Sequence, residues 1–146
     1  MKVDLRQKAT LDVLNQMNGN TIMEVLGITY TEIGSDYICG SMPVDKRTHQ
    51  PAGLLHGGAS AVLAESLGSM GSAIIADMRE NNVTGIEINA NHIRGMRSGT
   101  VHAKATIVHC GKSTHIWNVE IKNEEDKLVC LARLTVLILP KQKINE

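Results

Sequence analysis

From Gly57 to about Arg79 the chain reads GGASAVLAESLGSMGSAIIADMR, with no proline and with apolar residues at 59, 62, 63, 67, 70, 74 and 75 recurring at helical spacing. One long helix is expected there. Gly57, Gly58, Gly68 and Gly71, with alanines and serines between them, cost helix propensity but let other groups approach the backbone closely. A helix with almost no charged face is expected to be buried nearly all round. Glu65 stands alone in the middle of it.

What flanks the run decides what covers it. Upstream, Thr10 can cap a short helix through about Met17, and Thr21 can cap a further turn that Gly27 stops. Strand-like segments over 28–33 and 37–42 surround the hairpin signal Gly34-Ser35-Asp36. After Asn81-Asn82 everything reads as strand. Val101, Ala103, Ala105 and Ile107 alternate with polar neighbours, as do His115, Trp117, Val119 and Ile121, so one face of each strand is buried. Residues 128–139 are apolar on both faces apart from Arg133 and Thr135, which suits an interior strand. The predicted architecture is α+β, the long helix lying in the concave side of a curved sheet that ends in a four-strand antiparallel meander.

Composition narrows the function. The 146 residues contain no linker or low-complexity tract, so a single domain is expected over 1–146, with 1–9 and 141–146 as loose termini. Acidic and basic residues balance at 15 each and no basic cluster carries interleaved aromatics, which argues against nucleic acid as a partner. The start lacks the apolar core of a signal peptide and no stretch is read as a membrane span, so a cytoplasmic protein without a membrane partner is expected. Cys39, Cys110 and Cys130 form no C-x-x-C and are expected as free thiols. His49, His92, His102, His109 and His115 show no ligand spacing, so no metal is expected. His102 should face solvent, and His92, on a strand face with Ile86, Ile88 and Ala90, should pack in the core.

The chemistry centres on two features of the long helix. A carboxylate in an apolar helix is costly unless it is paired, protonated or used, and Ser69 shares its face at i+4. The plain alternative is a Glu that reaches solvent, or an Arg at an oligomer contact. At the helix start, the amides of Gly57 and Gly58 have no partners within the helix and can hold an oxyanion, with His56 and Gln50 beside them to bind a carbonyl. There the plain alternative is a tight loop entering a helix, capped by His56. Eight residues separate Gly57 from Glu65, or ~12 Å along the axis, too far for both to reach one carbonyl carbon. One site using both must therefore draw them from two chains, with antiparallel helices and two symmetric sites.

At MPVDKRTHQPAGLLHGGASAVLAESLGS (42–69) and GIEINANHIRGMRSG (85–99) the chain resembles the hotdog-fold acyl-CoA thioesterases, in particular the bacterial branch that includes 1,4-dihydroxy-2-naphthoyl-CoA thioesterases of menaquinone synthesis and enterobactin proofreading thioesterases. The resemblance runs from about residue 10 to 139. It implies a homodimer with shared sites, commonly paired into a tetramer. It implies Glu65 as the catalytic carboxylate, Gly57 as oxyanion donor, Gln50 and His56 as holders of the thioester carbonyl, and Ser69 as the assisting hydroxyl. By the same resemblance Gly85, His92 and Arg94 lie beside the pantetheine arm, and Lys112, Ser113 and Thr114 approach the nucleotide end. No cofactor is implied, since coenzyme A leaves as product. Where this branch commonly has an aromatic after Gln-Pro, Ala52 stands here, which alters the wall that selects the acyl group. A hotdog hydratase or dehydratase, a non-catalytic acyl-CoA-binding protein and a purely structural oligomer subunit are the competing readings.

Overall fold

A computed structural model describes residues 4–141. Thr10 caps α1 (Leu11–Gln16), its hydroxyl accepting from the Val13 N–H at 3.5 Å, and Thr21 caps α2 (Ile22–Leu26), accepting from Met23 at 3.3 Å. Gly27 ends α2 in the left-handed region at φ 71°, where glycine is unstrained. A 3-10 turn over Leu5–Gln7 precedes them. Leu5 is fully buried and its N–H donates to the Ser35 carbonyl at 3.0 Å, so residues 4–9 are anchored rather than loose. The remainder of the expected loose termini, 1–3 and 142–146, lies outside the described residues.

The long helix, α3, runs Gly57–Ala76, three residues short of the expected end. Asp77 leaves helical geometry at φ 54°, and Asn81 and Lys8 donate to the last carbonyls, those of Ala76 and Ile75. By length and composition α3 would pass for a membrane span, contrary to the reading of the sequence; half of it is nonetheless buried within this fold, as a core helix should be.

Six antiparallel strands form one sheet in the order β1-β2-β4-β5-β6-β3, with β1 Thr29–Ile33, β2 Tyr37–Pro43, β3 Asn81–His92, β4 Thr100–Cys110, β5 Thr114–Lys122 and β6 Leu128–Pro140. The meander is therefore three strands, β4 to β6. β3 pairs with β6 instead of β4, whose other side is taken by β2. A period of two says which face of a strand is buried but not which strand lies beside it. β6 is interior, as expected, but it alternates: Ala132, Leu134 and Val136 are buried while Arg133 is exposed.

α3 lies on one face of this sheet, and its glycines set how close it comes. A Cβ on Gly71 would sit 2.4 Å from the Trp117 ring, and one on Gly68 2.6 Å from Leu134. Trp117, fully buried, donates from Nε1 to the Ser72 hydroxyl at 2.8 Å, and His115 Nδ1 lies 3.0 Å from the same oxygen. The Ser72 hydroxyl is thus shared by Trp117 and His115, whose other ring nitrogen faces Cys110 Sγ at 3.7 Å. Burial pushes the His115 pKa below its usual value and keeps the ring neutral. All three cysteines are free thiols.

The far side of α3 departs from expectation. Leu63, Leu67, Gly68, Gly71 and Ser72 are buried, but Val62, Glu65, Ser69, Met70 and Ala73 are only half-buried. The sheet of one chain covers only one side of the helix.

Candidate active site

The loop before α3 is built to aim the first helical amide. The His56 N–H donates to the Thr48 carbonyl at 2.8 Å, Gln50 and Leu54 close a tight turn at 2.8 Å, and Gly53 takes φ 73° within it. A second loop, 93–99, clasps it: Leu55 donates to the Met96 carbonyl at 2.7 Å, the His49 ring donates to the Arg97 carbonyl at 2.8 Å, and Arg97 reaches the Ala52 carbonyl at 3.3 Å. The entry to α3 is thereby fixed from two sides.

The two glycine amides at that entry differ. The Gly58 N–H donates to His56 Nδ1 at 2.8 Å, whereas the Gly57 N–H has no partner among the described residues. Only Gly57 presents a free donor, which narrows the sequence reading from two amides to one. The same bond fixes the His56 tautomer: Nδ1 accepts, so the proton is on Nε2 and the exposed edge of the ring is a donor. Gln50 is polarised likewise. Its Oε1 accepts from the Ala52 N–H, leaving the amide NH2 for another acceptor. Three neutral donors thus belong to one loop and one helix start.

His92 corrects an expectation. It keeps the face of Ile88 and Ala90 but is exposed because it is the last residue of β3, beside the start of α3, while a bulge between Gly85 and Glu87 turns out Ile86, 55% exposed. Its Nε2 lies where a Cβ on Gly57 would be, only 2.5 Å away. A side chain at 57 would displace His92, so the glycine serves close approach as well as a free amide. Arg94 follows β3 and is exposed, as is His102 on the outer face of β4.

Glu65 lies elsewhere. It lines a groove of about 470 Å³ with Ser69, Met70, Met23, Tyr30 and Val62. Its Oε1 lies against Gly85, where a Cβ would come within 2.6 Å. No ion pair among the described residues engages it. The groove otherwise offers little polarity. The Ser66 hydroxyl is committed to the Val62 carbonyl at 2.7 Å, and the Tyr30 phenol, its pKa pushed up to about 12 by burial, stays uncharged. Nothing in the sequence marked Met23, Tyr30 and Met70 as partners of Glu65, since they come from three elements with no shared spacing.

One chain therefore brings Glu65, Ser69 and Gly85 together, and separately His56, Gly57 and His92, with Gln50 on the adjoining loop. It does not bring the two groups together. Lys112, Ser113 and Thr114 occupy the β4–β5 turn at the opposite end of α3, where Lys112 borders a cleft with Ala76, Cys110 and His115.

The sequence model of the thioesterase superfamily matches residues 52–130, which include His56, α3 and strands β3 to β5. The chain belongs to the thioesterase superfamily. It is a thioester hydrolase with the hotdog fold, the long helix wrapped by an antiparallel sheet. It is 45% identical over 134 residues to the 1,4-dihydroxy-2-naphthoyl-CoA hydrolase of Escherichia coli, covering 92% of this chain and 98% of that protein. To the proofreading thioesterase EntH of Cronobacter sakazakii it is 43% identical over 134 residues, covering 92% and 97%. The crystal structure of a mutant thioesterase from Pseudomonas aeruginosa superposes with a TM-score of 0.91 at 47% identity, covering 93% of this chain and 98% of that one.

Proposed function

We propose that this thioesterase hydrolyses an acyl-CoA to the free acid and coenzyme A, that its favoured acyl group is aromatic and resembles 1,4-dihydroxy-2-naphthoyl, and that each site is shared by two subunits. The observation that carries the reading is the free Gly57 amide at a helix start, flanked by the His56 Nε2–H and the Gln50 NH2. Those donors stabilise charge as it develops on the thioester oxygen. Glu65 of the facing subunit either removes a proton from the attacking water or attacks the carbonyl carbon to form an anhydride that water opens, and Ser69 orients that water. The C–S bond breaks in either route, and coenzyme A departs as the thiol. No metal or bound cofactor takes part.

Two features support sharing. Gly57 and Glu65 are ~12 Å apart along α3, so a second chain must complete the pair. β3 is an edge strand of 12 residues, Asn81–His92, whose free edge suits pairing with a second copy and would run the two α3 helices antiparallel. A further pairing of dimers into a tetramer belongs to the same reading. In that arrangement the pantetheine arm passes Gly85, His92 and Arg94. Lys112, Ser113 and Thr114, about 16 Å beyond Glu65 along the axis, meet the nucleotide end. The resemblance to a naphthoyl-CoA hydrolase favours a cytoplasmic role in menaquinone synthesis.

The test is release of free thiol from benzoyl-, hydroxynaphthoyl- and medium-chain fatty acyl-CoA by the purified protein. Turnover that survives Glu65→Ala undiminished excludes the mechanism. Mixing Glu65→Ala and Gly57→Pro chains, each inactive alone, should restore activity by forming one intact site per mixed dimer. Failure to complement would place both halves of the site in one subunit.

A further inference from the structure

Away from Glu65 and the donor loop, the β4–β5 hairpin holds a nucleophile with a base beside it. A bulge between Ile107 and His109 adds a residue to β4, so Cys110 rather than His109 stands opposite His115 across the hairpin. The thiol thereby turns inward and packs against the core. Its Sγ lies 3.7 Å from His115 Nε2, while His115 Nδ1 lies 3.0 Å from the Ser72 hydroxyl, itself held by the Trp117 N–H at 2.8 Å. Thiol, imidazole and hydroxyl form a line from the end of β4 to α3.

The surroundings suit this line to chemistry. His115 is 3% exposed, and burial lowers its pKa, so the ring is neutral and able to take a proton. Cys110 is half-buried and opens on a cleft of about 440 Å³ shared with Ala76, Asn81 and Lys112. The Lys112 ammonium is exposed there and enters no ion pair among the described residues, which leaves it to attract an anion. The other thiols lack this setting. Cys39 is also half-buried, but burial and the Glu32 carboxylate push its pKa up, and Cys130 is fully buried. Among the described residues, Cys110 alone has a histidine within hydrogen-bonding distance of its sulfur.

We propose that Cys110 is a thiol–disulfide exchange site, activated by His115 and made selective for small anionic disulfides by Lys112. His115 Nδ1 donates to the Ser72 hydroxyl, and Nε2 takes the S–H proton as the Cys110 sulfur attacks one sulfur of the disulfide. The S–S bond of the incoming molecule breaks. One half is joined to Cys110, and the other leaves as a thiolate that takes the proton from Nε2. The disulfide is the oxidant, and excess small thiol reverses the step. The adduct fills the cleft that Lys112 borders. Modification therefore raises KM for acyl-CoA and spares kcat, a consequence that rests on the reading of Lys112 at the nucleotide end, whereas the exchange itself does not.

The test treats the folded protein with glutathione disulfide, a dianion at neutral pH, and separately with cystamine, a dication, and follows each cysteine by peptide mass spectrometry. Cys39 is the internal reference. A free thiol is only a few per cent thiolate at pH 7, so the adjacent base should raise the Cys110 rate about tenfold or more above that of Cys39. His115→Gln should bring the two rates together, and Lys112→Glu should reverse the preference for glutathione disulfide over cystamine. Cys130 reports unfolding and should stay unmodified; the comparison of Cys110 with Cys39 in the unsubstituted chain needs no variant. Cys110 reacting no faster than Cys39, a rate indifferent to His115→Gln in a folded chain, or a charge preference indifferent to Lys112→Glu would overturn the proposal. Glutathionylated protein should show a raised KM that dithiothreitol restores, and Cys110→Ser should be immune. A modified Cys110 with KM unchanged would leave the exchange site standing and refute the nucleotide-end reading of Lys112 instead.

Discussion

The two ends of α3 use glycine for different purposes. At Gly68 and Gly71 a missing Cβ admits Leu134 and the Trp117 ring, both fully buried, and the result is a helix seated deep in a sheet. At Gly57 a missing Cβ admits His92, an exposed and movable side chain, beside an amide that has been left unpaired. The inner glycines are a packing device with no freedom around them. The outer one borders an exposed side chain and a free amide. Residue type is the same at both ends, and what differs is whether the neighbour can give way.

That contrast can be broken by substitution, with the largest effects expected on turnover. Glu65→Ala should lower kcat by about 10² to 10⁴-fold, the usual contribution of a positioned acid–base group, with the melting temperature unchanged. Thiol release at saturating acyl-CoA measures the first and calorimetry the second. Gly57→Pro is sharper still as a probe. Proline is favoured at the first helical position, and His56, at φ −71° and ψ 129°, already has the extended geometry that a following proline requires. The N–H is lost, and the added Cβ displaces only the exposed His92 ring. We expect kcat to fall by about 10² to 10³-fold with stability retained, and an active Gly57→Pro enzyme would remove the amide from the mechanism.

The inner glycines should behave in the opposite way. Gly71→Val must push aside the Trp117 ring, fixed by its bond to Ser72, and should cost about 1–3 kcal/mol, read as an earlier denaturant midpoint. Ser72→Ala leaves the Trp117 N–H and the His115 Nδ1 without their shared partner and should cost about 1–3 kcal/mol. His115 adds a smaller, pH-dependent effect. Its folded pKa lies below the ordinary 6.5, so the unfolded chain binds a proton first as pH falls. The stability it contributes is complete above 6.5 and declines as pH falls from there toward the folded value. Denaturant titrations on either side of 6.5 should show this slope, and His115→Asn should remove it.

Much of this was legible in the residues themselves. Caps at Thr10 and Thr21, the stop at Gly27 and the period-two strands fixed element type because each rests on local chemistry or on a repeat within one segment. His92 was misjudged because it is the last residue of β3, on the face of Ile88 and Ala90 but where that face opens at the start of α3, and alternation does not show where a strand ends in the fold; the bulge before Glu87 displaced only Ile86 from that face. Strand order was misjudged at β3 for a related reason: the pattern within a strand is silent about its neighbour. Leu5 looked like part of a loose end since one apolar residue among charged ones has no period to betray its burial.

By itself the sequence determined a single α+β unit with a long, small-residue helix, and it determined that Gly57 and Glu65 stand too far apart on that helix to act on one atom. Both follow from rise per residue and side-chain volume, which are local quantities. Which of the two glycine amides stays free, which tautomer His56 adopts, and that the Glu65 groove runs on beneath α1 were decided only by tertiary structure. The groove depends on where α1, distant in the chain, comes to rest, and the amide and tautomer depend on the His56 ring turning back onto the Gly58 N–H, a choice of side-chain geometry that spacing does not reveal.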